Sequence, residues 1–206
     1  MTAFRAQNRS AFPNFHNAPV PSSGTGDPRI LVVGLAPALR GGNRTGTPFQ
    51  GDQSGRWLRD ALARHGFGED VVRITNAVRC VPPDNRPTAA EIAACRMFLV
   101  AELAAPNLCA VLALGRIAHD AVLGALDLPL RAFRFVHGAV HALPTVTLVD
   151  SYHPSPQNTN TGRLTPAMFD AVFEDLRGAS NPSHTPAARR PTGDLRALRE
   201  TVFRPL

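Results

Sequence analysis

The chain has 206 residues, room for one α/β domain with a substantial buried core and too few for two enzymes joined by a linker. Hydrophobic residues make up 44% and charged residues 18%, yet no run approaches the roughly eighteen unbroken apolar residues of a membrane span, so no membrane partner is expected. All 22 basic side chains are arginine, set against 16 acidic ones, and the charge of +6 favours anionic partners such as nucleic acid without requiring them.

Residues 1–28 are rich in Pro, Ser, Gly and Asn, show no periodicity and contain no apolar run of signal-peptide length. They read as an irregular arm, and the cytoplasm is the expected compartment. The domain then spans residues 29–178. Its strand candidates are ILVVGL from Ile30, VVRIT from Val71, AVLAL from Ala110 and TVTLV from Thr145, all apolar on both faces. Doubly buried strands separated by helical segments predict a three-layer α/β/α sandwich around a short, mainly parallel, four-stranded sheet.

Between the first two strands, Trp57, Leu58, Ala61 and Leu62 recur at helical spacing, with Asp52 and Ser54 as candidate caps. A second helix starts at a capping-box pattern, Thr88 with Glu91, and places Ile92, Cys95, Leu99 and Leu103 on one face. GRIAHDAVLGAL from Gly115 and LTPAMFDAVFEDLRG from Leu164 are two more helices, the latter stopped by Gly178. Residues 179–206 read as a linker followed by a short docked helix carrying Leu195, Leu198 and Val202. Cys80, Cys95 and Cys109 supply neither a disulfide framework nor a close CxxC pair, and read as reduced thiols.

Ligands of open parallel sheets bind at the carboxyl ends of the strands, which directs attention to three long loops: residues 34–52, the stretch from Thr75, and the stretch from Ser151. They bring Phe49, Asp52, Asn76, Asn85 and His153 within reach of one pocket. An aromatic ring, a carboxylate, two amides and an imidazole suit a flat heterocycle with an edge of donors and acceptors, such as a pyrimidine. GGNRTG lacks the lysine of a phosphate loop and the spacing of a dinucleotide fingerprint, which argues against nucleotide triphosphatases and dehydrogenases.

At these residues the chain resembles the uracil-DNA glycosylase superfamily, above all its type-5 branch and then type 4, from about Ile30 to Phe173. GLAPA followed by NRTGTPFQGD, then TNAVRCVPPDNRPT with a cysteine fifteen positions after Cys80, then SYHPS followed by QNTNTGRLT, resemble the ordered motifs of that family. The resemblance implies a monofunctional DNA glycosylase of base-excision repair, acting as a monomer on uracil-containing DNA and releasing free uracil. Phe49 would stack on the flipped base and Asn76 read its Watson–Crick edge, with Gly34, Leu35, Ala36 and Pro37 lining the sugar and base. His153 would hydrogen-bond uracil O2. Arg44, Asn85, Ser155, Gln157, Asn158 and Arg163 would contact DNA, residues 154–163 forming the loop that presses into the minor groove.

Two departures from the family pattern bear on the chemistry. LRGGN carries no carboxylate where type-4 enzymes have one, so the water-orienting role falls to Asp52, with a helix cap as its other reading and Asn43 as the polar reserve. Both branches hold a four-iron cluster on four cysteines, of which only Cys80 and Cys95 have counterparts here, so no cluster and no other metal or organic cofactor is expected. His16 is a remote ligand candidate and reads better as a solvated loop histidine. The alternative function is a non-turnover protein that traps uracil-containing DNA; FRFVHGAVH, from Phe133, holds two histidines but does not closely resemble the insertion of the trapping branch.

Overall fold

The computed structural model describes residues 2–181. Six strands form one mixed sheet: β1 (Ser23–Gly24), β2 (Ile30–Gly34), β3 (Val72–Asn76), β4 (Ala110–Leu114), β5 (Val140–Ala142) and β6 (Thr147–Ser151), in the order β1-β3-β2-β4-β6-β5. The four expected strands are the parallel centre. The four-stranded expectation falls short by the two short antiparallel edges, β1 on β3 and β5 on β6. Strands of two and three residues are too brief to show alternation in sequence.

The layers follow from alternation along the strands. Ile30 and Val32 of β2, Leu112 of β4 and Val149 of β6 pack with α3 (Gln53–Arg64) and α7 (Pro166–Ala179), through Leu58, Leu62, Phe169 and Phe173. Leu31, Val33, Val111 and Leu148 face the other way, onto α4 (Ala89–Leu103) and α5 (Arg116–Ala125), through Leu99, Leu103, Val122 and Leu123. Both faces are therefore dry, as buried parallel strands require.

Helix ends are set by local chemistry. Asp52 caps α3, its Oδ1 accepting from Gly55 N at 2.8 Å, and Ser54 lies inside the helix. Thr88 and Glu91 form the expected capping box of α4. On that helix Leu99 and Leu103 are buried, whereas Ile92 and Cys95 are half-buried. Gly178 does not stop α7: it has no left-handed φ, and the helix ends one residue later, at Ala179, with Ser180 as its cap.

The amino-terminal segment is more ordered than its composition suggests. Helix α1 (Thr2–Ala11) occupies its proline-free stretch of good helix formers, Ala, Arg and Gln, which corrects the reading of an irregular arm. The following chain is then fastened to the domain: His16 N donates to Arg44 O, Asn17 N to Asn43 O and Val20 N to Arg79 O. Ser22 Oγ donates to Glu102 Oε1, whose carboxylate is also paired with Arg73 and Arg79. The proposed carboxyl-terminal helix lies outside the described residues. No helix among those residues is long and apolar enough to cross a membrane.

Candidate active site at the strand ends

Strand order reverses between β2 and β4, so the chain leaving these neighbours diverges and opens a crevice at their carboxyl ends. A hollow of about 690 Å³ lies there. Leu35, Ala36 and Pro37 line it from the loop after β2, Asn76 from the last residue of β3, and His153 and Ser155 from the chain after β6. Phe49 and Asp52 enter just before α3, and Asn85 and Gln157 also contribute to the wall. The five side chains expected in one pocket are thus in one pocket.

Phe49 is held in an unusual conformation. Its φ of 52° is left-handed, a cost of about 1–3 kcal/mol for a bulky residue that surrounding contacts must offset. Arg59, on α3, grips the corner: its Nε donates to Phe49 O at 3.1 Å and its Nη2 to Pro48 O at 3.3 Å. Two glycines leave the room. A β-carbon at Gly55 would lie 2.2 Å from Phe49 O, and one at Gly34 would lie 2.5 Å from Phe49 Cζ. Gly34 therefore supports the site from below rather than lining it.

Asn76 is opposite Gly34 in the parallel register of β2 and β3. The residue lines the hollow, and its Oδ1 is buried beside Gly34 with no hydrogen-bond partner. Buried acceptors are rarely left unpaired, since desolvation without a partner costs on the order of 1–3 kcal/mol. An unpaired amide oxygen at a cavity wall is a ready receptor for a donor on a ligand.

His153 faces Phe49, with ring centroids 5.9 Å apart and planes tilted by 31°. The residue is half-buried at the wall of the hollow, and desolvation pushes the imidazole pKa down to about 4. A neutral ring carries one N–H donor and one acceptor nitrogen. Asn158 fixes the backbone here, its Nδ2 donating to His153 O at 2.8 Å.

Asp52 is the helix cap and also reaches the hollow. One oxygen caps α3, while the other packs on Gly41, where a β-carbon would lie 2.0 Å from Oδ2, and the residue lines the hollow.

Four further expected residues, Asn43 for the water and Arg44, Asn158 and Arg163 for DNA, do not line the hollow. Asn43 is buried and donates from Nδ2 to Asn17 Oδ1 at 2.9 Å, a tie to the amino-terminal segment and not a group facing the hollow. Arg44 lies outside the hollow and donates to Gly51 O at 2.8 Å. Asn158 is engaged with His153 O, and Arg163 is exposed with its guanidinium 4.6 Å from the centre of the Tyr152 ring. The stretch expected as a loop after His153 includes a short helix, α6 (Pro156–Asn160), capped by Ser155.

The fourth wall was not foreseen. Gly115, Arg116, Ile117 and Ala118, between β4 and α5, complete the hollow. The link is a single glycine at φ 98°, too short to read as a loop, and only the rule that every strand end faces the site would have found it. A second hollow, of about 780 Å³, lies along β1 and α3; its charged lining residues, Arg59 and Glu69, are 4.0 Å apart, and it has none of the strand-end side chains.

Comparison with known proteins agrees with this geometry. The profile of the family described as the uracil DNA glycosylase superfamily matches residues 21–177. The chain is 45% identical over 179 residues to the type-5 uracil-DNA glycosylase of Mycobacterium leprae, covering 77% of each chain. It is 46% identical over 173 residues to the type-5 enzyme of Thermus thermophilus, covering 77% of this chain and 79% of that one. With the type-4 enzyme of Archaeoglobus fulgidus the identity is 34% over 141 residues, 66% of this chain and 70% of the relative.

Proposed function

The chain belongs to the uracil DNA glycosylase superfamily, and on that premise we propose that it hydrolyses the N-glycosidic bond of uracil turned out of DNA, releasing the base and leaving an abasic site. The observation that carries this reading is that Asn76, whose Oδ1 is unpaired, lines the same hollow as Phe49 and His153. Uracil presents an N3–H donor to such an oxygen and an O4 acceptor to the amide nitrogen beside it, while Phe49 covers its face.

As the bond between the sugar and the base breaks, electrons pass to the base and positive character develops on the sugar. A neutral His153 whose N–H points at uracil O2 stabilises the departing anion, and a proton is not needed to do so. Asp52 orients the attacking water and offsets the charge on the sugar. Asn85, Ser155 and Gln157, at the wall of the hollow, are DNA contacts in this reading, and the protein acts as a cytoplasmic monomer.

We also propose that the enzyme works without a cluster. The chain's three cysteines do not make the four-cysteine set: Cys80 is buried with Arg5 Nη1 donating to its Sγ at 3.5 Å, Cys95 lies on α4, and Cys109 bonds Asn107 O at 3.3 Å. In this reading packing or the amino-terminal segment takes over the cluster's structural role in the fold. No step of the chemistry calls for a metal, because hydrogen bonds stabilise the leaving group.

The test is excision from a duplex with one uracil, followed by cleavage at the abasic product. Multiple turnovers support the proposal. No product, or a single round ending in a denaturant-resistant adduct, overturns it.

A further inference from the structure

The histidine-rich segment between α5 and β6 has no part in the mechanism as stated. It contains His137 and, at β5, His141, and it runs beside the strand that leads into His153. Three layers of contact join the two. Gly138 N donates to Asp150 O and Asp150 N to Ala139 O, both at 2.9 Å, which prolongs the β5–β6 pairing by backbone alone. Asp150 is fully buried, and its two oxygens are taken by His119 Nδ1 at 2.8 Å and His141 Nε2 at 3.0 Å. Finally, Tyr152 N donates to His137 Nδ1 at 3.1 Å, and the His137 and Tyr152 rings stack at 4.8 Å with planes 13° apart.

The His119, Asp150 and His141 atoms lie within 4.8 Å of one another, close enough to suggest a metal site. The hydrogen bonds argue otherwise. His119 Nε2 also faces an acceptor, Phe133 O at 3.0 Å, so both of its nitrogens point at oxygens and it is best satisfied as a cation. A metal needs a free lone pair on Nδ1, and here that position is filled by a proton shared with the carboxylate.

We propose that His137, seated on a segment fixed through Asp150, is the residue that positions His153: by accepting the Tyr152 N–H it sets the Ser151–Tyr152 peptide, one residue before His153, and so aims the imidazole at the base-binding hollow. Asp150 and Tyr152 are then held by the β5 segment, Ser151 by β4 and the Gly115 N–H at 2.8 Å, and residue 153 by the Asn158 amide. Neither the His137 nor the Asn158 hold touches the ligand. His137 must be neutral at Nδ1 to accept, and desolvation, only partly countered by the Met168 backbone, lowers its pKa, in keeping with that role. A displacement of the imidazole by about an ångström is enough to cost up to a hundredfold in rate.

This proposal rests on His153 being the group that meets uracil O2, and the experiment separates the two. His137→Phe keeps a stacking ring without the acceptor, His137→Asn keeps an oxygen acceptor near the Nδ1 position, and His137→Ala keeps neither. Expected is a fall in kcat of about tenfold or more for the Phe and Ala variants with KM and the melting temperature little changed, and recovery of most of the rate in His137→Asn. The ring protons of His153, followed by NMR, should titrate nearer the ordinary value of 6.5 in the Phe and Ala variants, since the ring is no longer held against its desolvating neighbours. An unaltered kcat in His137→Phe, or an Asn variant no better than Ala, overturns the proposal. If instead His153→Ala keeps full activity while the His153 titration still moves in His137→Ala, the assignment of His153 fails and the positioning by His137 stands.

Discussion

Asn17 and Asn43, 26 residues apart in the chain, are joined by a hydrogen bond of 2.9 Å from Asn43 Nδ2 to Asn17 Oδ1, and both are 1% exposed. Asn17 in turn donates to Phe12 O at 2.7 Å and to Asn8 O at 3.3 Å, so one amide pair links α1 to the turn that precedes Phe49. Asn43→Ala strands the Asn17 oxygen and is expected to destabilise the fold by about 1–3 kcal/mol. Thermal unfolding measures the loss, and kcat per folded molecule should be unchanged. A hundredfold drop in kcat, roughly the effect of a lost general base, at unaltered stability would instead restore the water-orienting role to Asn43.

Gly34→Ala tests the packing beneath the base. The new β-carbon would lie 2.5 Å from both Phe49 Cζ and Asn76 Oδ1, so either the ring or the amide must shift. Overpacking of this kind costs about 1–3 kcal/mol of stability, and excision should fall by at least about tenfold because the two groups that would hold uracil move together. Steady-state excision and a thermal melt on the same preparation check both halves. Full activity would show that the hollow tolerates the methyl group and that Gly34 does not set its shape.

The central strands and the principal helices were legible because burial on both faces leaves unbroken apolar runs, and because caps such as Asp52 and Thr88 follow local rules. The hollow was legible because strand ends converge in this class of sheet. What escaped depends on partners distant in sequence. Asn43 reads as a polar reserve for the water until Asn17 is placed beside it, and no pattern announces that the Asn158 amide donates to His153 O. Gly115 turns the chain in a single residue, and so β4 contributed a wall that no loop announced. The positive charge pointed to an anionic partner but did not locate it: Arg44, Arg59 and Arg73 are engaged with the protein itself.

Removal of a cluster ligand should be harmless. Cys80 is buried and accepts only a long hydrogen bond, 3.5 Å from Arg5 Nη1. Cys80→Ser should retain activity and stay folded, with a melting temperature lowered by a few degrees at most, and the purified protein should lack the visible absorption of iron–sulfur centres. Iron in stoichiometric amount, lost together with activity in Cys80→Ser, would reject the cluster-free reading.

Asn76→Asp changes the hydrogen-bonding edge without changing its shape. Uracil offers one donor and one acceptor to the amide, and a carboxylate offers acceptors alone, so it repels O4 while suiting the exocyclic amine of cytosine. Excision of uracil should drop by roughly a hundredfold, in line with the loss of a buried pairing that becomes repulsive. A slow release of cytosine should appear in an assay with a cytosine-containing duplex. An unchanged substrate profile would remove Asn76 from base reading.

The acid dependence should follow from the seat of His153. An unfolded chain takes up a proton on this ring near 6.5, whereas in the fold desolvation delays it to about 4. The folded pKa is the lower one, so the stability contributed by the neutral ring is fully present above about 6.5 and is lost as the pH falls from there toward 4. Excision governed by this ring should therefore show no step near 6.5 and should decline only as the pH approaches 4, where the ring becomes charged. A kcat profile with an inflection near 6.5 that disappears in His153→Ala would mean that the ring works as an imidazolium. In the neutral-donor mechanism His153→Ala lowers kcat by about a hundredfold or more, while binding to duplex without uracil, held by phosphate contacts, is preserved.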